Sequence, residues 1–245
     1  MLFFKKKSYK TDPEPESLGL GLPPGGNHYR AFVGPPEDYD LVSAMAFGLL
    51  TSLGLRQHHS VLDVGCGSLR IGRLLIPYLN AGSYTGIEPN AWLVEQGIKR
   101  EIGSDLVGIK NPRFHFFDSA ASLPQELKFD FALAQSIFSH CGPDLLKRWI
   151  NEISGRLSEY GVIAATFLIA DDDCVQNGWI YPGCVHYRPE TMRLIANAAG
   201  LEFTILDWVH PRQTWALFHK PGFDATWIYH GHVEWNAMMK HKIKV

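Results

Sequence analysis

The sequence predicts a single doubly wound α/β domain, a mostly parallel sheet covered by helices on both faces and finished by an antiparallel hairpin. Three observations carry this. Short apolar runs rich in β-formers alternate with helical patterns. The first run, Ser60-Val-Leu-Asp-Val, enters a glycine turn that opens a helical pattern. The last two runs, 201–208 and 214–219, are joined through His210-Pro-Arg-Gln, short enough for a hairpin.

The elements follow in order. Residues 1–34 form an N-terminal arm, because Pro13, Pro15, Pro23 and Pro24 alternate with Gly19, Gly21, Gly25 and Gly26 and deny both helix and ladder their hydrogen bonds. Pro35-Pro-Glu-Asp38 offers rigid entry residues and negative charge suited to a helix N-terminus. The helix that follows places Leu41, Met45 and Gly48 with Ala44, Leu49 and Ser52 on one face, and Gly54 closes it. A helix over 69–79 follows the first strand. A strand at Tyr84–Glu88 leads to a helix over 91–102, and a third strand, Phe114–Phe117, ends at Asp118. A fourth, Phe131–Gln135, precedes a helix with Leu145, Leu146, Trp149, Ile150 and Ile153 on its apolar stripe. Val162–Leu168 is the fifth strand, Pro189–Ala199 a helix stopped by Gly200, and the hairpin completes a main domain spanning 35–222. Residues 223–245, with Trp235, Met238 and Met239 among charges, read as an extension packed on the domain or as a contact in a homo-oligomer.

Composition narrows the function. Lys plus Arg number 23 against 25 Asp plus Glu, a net charge of −2, so an electrostatic hold on nucleic acid or an anionic membrane is not expected. Lys5–Lys7 is a short solvated run. No apolar stretch approaches the ~20 residues of a membrane span. The apolar start precedes its charges, the reverse of a secretory leader. Four scattered cysteines, Cys66, Cys141, Cys174 and Cys184, make no disulfide framework. A cytoplasmic protein is expected.

Gly65 and Gly67 allow a tight turn and a close ligand approach, and the helix beyond offers unpaired N–H groups. Glu88, at the end of the second strand, is placed to accept both hydroxyls of a ribose. Two residues separate this site from a dinucleotide site. Arg70 stands where that fingerprint has its third glycine. Asp63, facing the cleft, would repel a pyrophosphate and welcome an ammonium or sulfonium centre. An adenosine compound carrying positive charge fits.

On these residues the chain resembles the class I S-adenosylmethionine-dependent methyltransferases, in their small-molecule branch. Val61–Gly67 with Ser68 is similar to their first motif, and Gly86-Ile-Glu-Pro-Asn90 to the segment whose acid holds the ribose. Phe116-Phe-Asp-Ser-Ala120 stands where an acid binds the adenine amino group, and Asp130–His140 resembles the fourth motif. The resemblance covers 60–166 and departs at Leu69, where many members have a third glycine, a change that narrows the methionine end. It implies a Rossmann-like seven-stranded sheet and S-adenosylmethionine as cofactor. Its site is expected from Asp63, Gly65, Cys66, Gly67, Glu88, Pro89, Asp118 and Gln135, with Arg30 of the arm on the methionine carboxylate.

The implied reaction is an in-line displacement on a small-molecule acceptor. A hydroxyl acceptor benefits from a base, and His140, just past the fourth strand, is the candidate. The segment 179–188 is placed to fold over the cleft and bring Tyr181, His186 and Tyr187 to the acceptor; Trp208 and His210 at the hairpin turn stand with them. Metal is not expected: Asp171–Asp173 with Cys174, Cys184 and His186 has no compact ligand spacing, nor do His230, His232, Glu234 and His241. The competing readings are a methyltransferase for glycan or protein, a nicotinamide-dependent reductase, and a non-catalytic cofactor binder.

Overall fold

The computed structural model describes residues 18–224; Lys5–Lys7 and most of the C-terminal extension, including its histidines, lie outside them. Val61–Val64, Tyr84–Ile87, Arg113–His115, Phe129–Ala134, Leu157–Phe167, Glu202–Ile205 and Thr214–His219 form strands β1 to β7 of one sheet. Their order is β3-β2-β1-β4-β5-β7-β6. β1 runs parallel to β2 and β4, β2 to β3, and β4 to β5. β7 enters antiparallel between β5 and β6. Strand order reverses at β1, which opens a crevice beyond the carboxyl ends of β1 and β4.

Helices α1 to α7 are Tyr29–Phe32, Tyr39–Ser52, Gly72–Tyr78, Ala91–Gly97, Ser104–Lys110, Pro143–Ser154 and Pro189–Ala198. Because strand side chains alternate, each strand feeds two cores. Leu62, Val64, Ala132, Ala134 and Ile163 pack against α6 and α7. Val61, Phe131, Leu133, Val162 and Trp215 pack against α2 and α3. Parity thus sends Asp63 to the α2–α3 side, as the lone acid in an apolar strand.

Several boundaries differ from the sequence expectation. The buried face of α2 is Val42, Met45, Ala46, Leu49 and Leu50, whereas Leu41 and Ala44 are exposed. α3 begins at Gly72 because the residues from 69 still belong to the turn. α5 was not anticipated; its short, mixed pattern ends at Asn111, whose φ of +47° caps it. Only Glu202–Ile205 of the 201–208 run pairs in the sheet, so Trp208 and His210 ride on a loop.

The turn before β4 depends on a single side chain. Arg156, buried, donates to the carbonyls of Ala120, Ala121, Leu123 and Pro124 at 2.8–3.1 Å. Arg156→Met is expected to strand these acceptors and cost about 3 kcal/mol, since each unsatisfied buried polar group costs about 1–3 kcal/mol. Denaturant melts would register it as a lower midpoint with an unchanged slope.

Candidate functional site

The turn after β1 holds left-handed backbone at Gly65 (φ +65°) and Gly67 (φ +53°), a conformation that a Cβ resists. A Cβ on Gly67 would also approach Val33 Cγ1 to 2.7 Å. Leu69 is left-handed too, at φ +61°, so the turn keeps its backbone course without a third glycine. Its side chain points into the core rather than into the crevice, and two other glycines make room for it. A Cβ at Gly97 would stand 2.8 Å from Leu69 Cγ, and one at Gly72 3.2 Å from Leu69 Cδ2. The narrowing expected from Leu69 is therefore absent: the residue does not line the cavity.

That cavity measures about 840 Å³, at the large end of the roughly 300–1,000 Å³ of small-molecule sites. Along its floor, Glu88 accepts from the N–H of Asn90 and from Asn90 Nδ2, both at 2.8 Å on Oε1, and from Gly67 N at 3.1 Å on Oε2. Burial raises its pKa against the pull of these donors. Oε2 retains acceptor capacity, and Glu88 faces the cavity beside Gly65, Gly67 and Pro89. One end is apolar, walled by Phe116, Phe117, Leu145 and Trp149. Asp118 stands there, mostly exposed and 3.5 Å from Arg148.

Below the floor a small recess is lined by Asp63, Cys66, Arg70 and Gln135. Asp63 and Cys66 reach this recess and not the main cavity. Burial pushes Asp63 up to about 7, opposed by the Tyr84 hydroxyl, which donates to it at 2.7 Å, and by Arg70. Arg70, itself buried, donates to the Val33 carbonyl at 2.9 Å and to Gln135 Oε1. Among the described residues no carboxylate lies within ion-pair range of it; its hydrogen-bond partners are neutral, and Asp63, in the same recess, acts on it only through space.

The other end is roofed by aromatic side chains. His140 is buried, and its Nδ1 donates to the Gly183 carbonyl at 2.7 Å. A carbonyl only accepts, so the ring proton sits on Nδ1 and Nε2 keeps its lone pair. Burial lowers the pKa against hydrogen bonds from the ring to the backbone of Gly183 and Ile180, so the ring stays neutral. Tyr181 packs edge-on to His140 at 4.9 Å, Trp179 lies 5.5 Å away, and the Tyr181 hydroxyl donates to the Phe32 carbonyl. That bond ties the loop after β5 to the N-terminal segment. His210 also lines the cavity, with Arg212 and Gln213.

Four of the expected residues lie elsewhere. Arg30 is committed to Glu101 at 2.8 Å and Asp40 at 3.4 Å, with its guanidinium over the Tyr39 ring. It clamps α1 to the turn after α4 and does not reach the cavity. His186 pairs with Asp172 at 3.2 Å. Tyr187 is fully buried and donates to the Cys141 carbonyl at 2.7 Å. Trp208 donates to the Met45 carbonyl at 2.9 Å and packs on the core. Asp173 is held by Arg188 and Thr191, and no metal-binding group of His, Cys, Asp or Glu occurs among the described residues.

Sequence reasoning missed Arg70 as a cavity residue, having weighed it only for its bulk. Its place three residues past Gly67, at the exit of the turn, was the available signal. Arg212 and Gln213 had none beyond their neighbour His210.

Residues 62–163 match a family model described as a methyltransferase domain. Solved structures share the fold. A magnesium protoporphyrin IX methyltransferase from Synechocystis, with bound S-adenosylmethionine, is 14% identical with a TM-score of 0.53, over 75% of this chain and 78% of that one. An amino pentose methyltransferase from Micromonospora echinaspora is 14% identical with a TM-score of 0.53, over 74% and 92%. The 1,6-didemethyltoxoflavin-N1-methyltransferase of Burkholderia thailandensis, with its acceptor and S-adenosylhomocysteine bound, is 17% identical with a TM-score of 0.53, over 74% and 77%.

Proposed function

We propose that this chain, a class I S-adenosylmethionine-dependent methyltransferase, methylates a small molecule held beneath Tyr181 and beside His140. The observation that carries the proposal is the roof: the Tyr181–Phe32 bond joins two segments that both line the cavity, so aromatic side chains span part of its mouth. A concave, aromatic-lined cavity of this size suits a compact acceptor.

The residues present fit the cofactor. The Gly65–Gly67 turn lets a ligand lie against backbone, and Glu88 is the ribose acceptor. The apolar end takes the adenine, with Asp118 at its edge for the amino group. Arg70 lines the main cavity beside the turn, where its charge suits the carboxylate of an amino-acid end, and Asp63 stands behind it in a recess of only about 20 Å³, adding an opposite charge for the ammonium. Arg70 thus takes the role expected of Arg30. When bound, the cofactor supplies a methyl group already activated on a sulfonium. What remains for the protein is to hold the acceptor in line and dry, and to take a proton from a hydroxyl acceptor at His140 Nε2. Gln135, bonded to Arg70 and next to His210, stiffens the boundary between the two ligands.

Titration calorimetry tests the cofactor assignment. S-adenosylmethionine and S-adenosylhomocysteine are expected to bind in the micromolar range and NADPH not at all; a preference for NADPH would overturn it. Arg70→Gln is expected to weaken S-adenosylhomocysteine at least tenfold and leave 5′-methylthioadenosine, which lacks the amino-acid end, unchanged. The acceptor class is tested with methyl-labelled cofactor and a cell extract split by ultrafiltration. Label in the low-mass fraction supports a small acceptor; label retained on protein or glycan rejects it.

A further inference from the structure

The apolar face that α2 turns to the core carries two hydroxyls. Tyr39 and Ser43 stand one helical turn apart, and both are fully buried. A hydroxyl buried without a partner is costly, so each needs an acceptor. Both find it in the turn after β1. Tyr39 donates to the Ser68 carbonyl at 3.0 Å, and Ser43 donates to the Arg70 carbonyl. The single phenol proton is thereby spent, so in the 3.2 Å contact between the two hydroxyls Ser68 Oγ is the donor. Burial raises the Tyr39 pKa, which keeps the phenol protonated. Its ring is fixed as well. The Arg30 guanidinium covers it at 4.5 Å and that of Arg73 at 5.3 Å, and both cations pair with Glu101.

The two carbonyls belong to the peptide planes that enter Leu69 and leave Arg70. Between them Leu69 is left-handed at φ +61°, a conformation that a glycine holds freely and a leucine resists. No backbone N–H donates to either carbonyl among the described residues, although Arg73 Nε reaches that of Arg70 at 3.3 Å. What the turn presents depends on this course: Gly65, Gly67 and Arg70 line the main cavity, and Gly67 N is held to Glu88 at 3.1 Å. Tyr39 and Ser43 do not line it. We propose that Tyr39 and Ser43 are positioning residues for the cofactor, whose hydroxyls hold the turn in its left-handed course and aim the Arg70 side chain into the cavity. This rests on the reading of the turn and of Arg70 as cofactor contacts. Ser43 acts through Arg70 and therefore on the amino-acid end. Tyr39 acts beside Gly67 and therefore on the cofactor as a whole.

The test is calorimetric titration of the full chain with S-adenosylhomocysteine and with 5′-methylthioadenosine. Ser43→Ala is expected to weaken the first at least fivefold and the second less than twofold. Tyr39→Phe is expected to weaken both at least fivefold. Leu50→Ala, which opens a cavity under the same helix without touching either hydroxyl, is expected to lower the melting temperature and leave both affinities within twofold. Unchanged S-adenosylhomocysteine affinity in either hydroxyl variant overturns the proposal. So does a loss in Leu50→Ala as large as theirs, since loosening of α2 alone would then account for it. Should Tyr39→Phe fail to fold, Ser43→Ala decides alone through its split between the two ligands. Failure of the unmodified chain to bind either ligand would remove the cofactor reading and the positioning with it, whereas normal binding by the two hydroxyl variants leaves that reading standing.

Discussion

Glu88→Ala is expected to weaken S-adenosylhomocysteine binding by tenfold to a hundredfold. The carboxylate is buried at the carboxyl end of β2, faces the cavity, and is held in place by Asn90 and Gly67. Burial without ligand is costly for the anion, as its raised pKa records. Two ribose hydroxyls would return hydrogen bonds to a charged acceptor, each worth about 1.5–3 kcal/mol. Alanine removes these and also frees the buried Gly67 N–H, which loosens the turn on which the cofactor rests. Calorimetry reads the loss directly, and unchanged affinity would remove the ribose assignment. The acid dependence has a defined sign. Since the folded pKa lies above the ordinary carboxylate value, affinity falls as the pH drops through that raised value, earlier than for an exposed glutamate.

His140→Ala is expected to lower turnover by about 10²–10⁴-fold, the usual worth of a positioned general base, while leaving cofactor affinity unchanged. The Gly183 carbonyl fixes the tautomer and leaves Nε2 as the basic atom. Burial depresses the pKa, so the ring remains unprotonated below the ordinary histidine value of about 6.5. The acidic limb of the rate profile therefore lies below that value, with full activity at neutral pH. A normal rate in the variant would reduce His140 to a packing residue. A rate loss accompanied by weaker cofactor binding would place it on the cofactor instead.

The strand pattern was legible because β1, β2, β4 and the second half of β5 are buried on both faces and read as short apolar runs; β1 to β4 were found to within a few residues, whereas β5 begins at Leu157 rather than Val162 because its first half is polar and partly exposed. Gly65, Gly67, Glu88, Pro89, Asp118 and Gln135 came to the cavity because the fold class places strand ends there. Arg30, His186, Tyr187 and Trp208 did not, and the reason is common to all four. Each is a long polar or aromatic side chain on a loop or short segment, where nothing in the local sequence reveals which partner it meets. Glu101, Asp172, the Cys141 carbonyl and the Met45 carbonyl lie far off in the chain for most of them. Arg70 was illegible for the opposite reason. Its neighbours Gln135 and Val33 come from other elements, so only the assembled crevice shows a buried cation that, among the described residues, makes no salt bridge.

Leu69 in its left-handed turn ties together three positions that no motif groups. The space it takes is the space that Gly72 and Gly97 leave free. Their mutational fates are joined: glycine at 69 alone would hollow the core, and alanine at 97 alone would strike Leu69 and the Ser68 carbonyl. Such a trio drifts only by coordinated change. Counting glycines in the turn therefore misjudges chains of this kind, because the glycine missing from the signature is found one helix away.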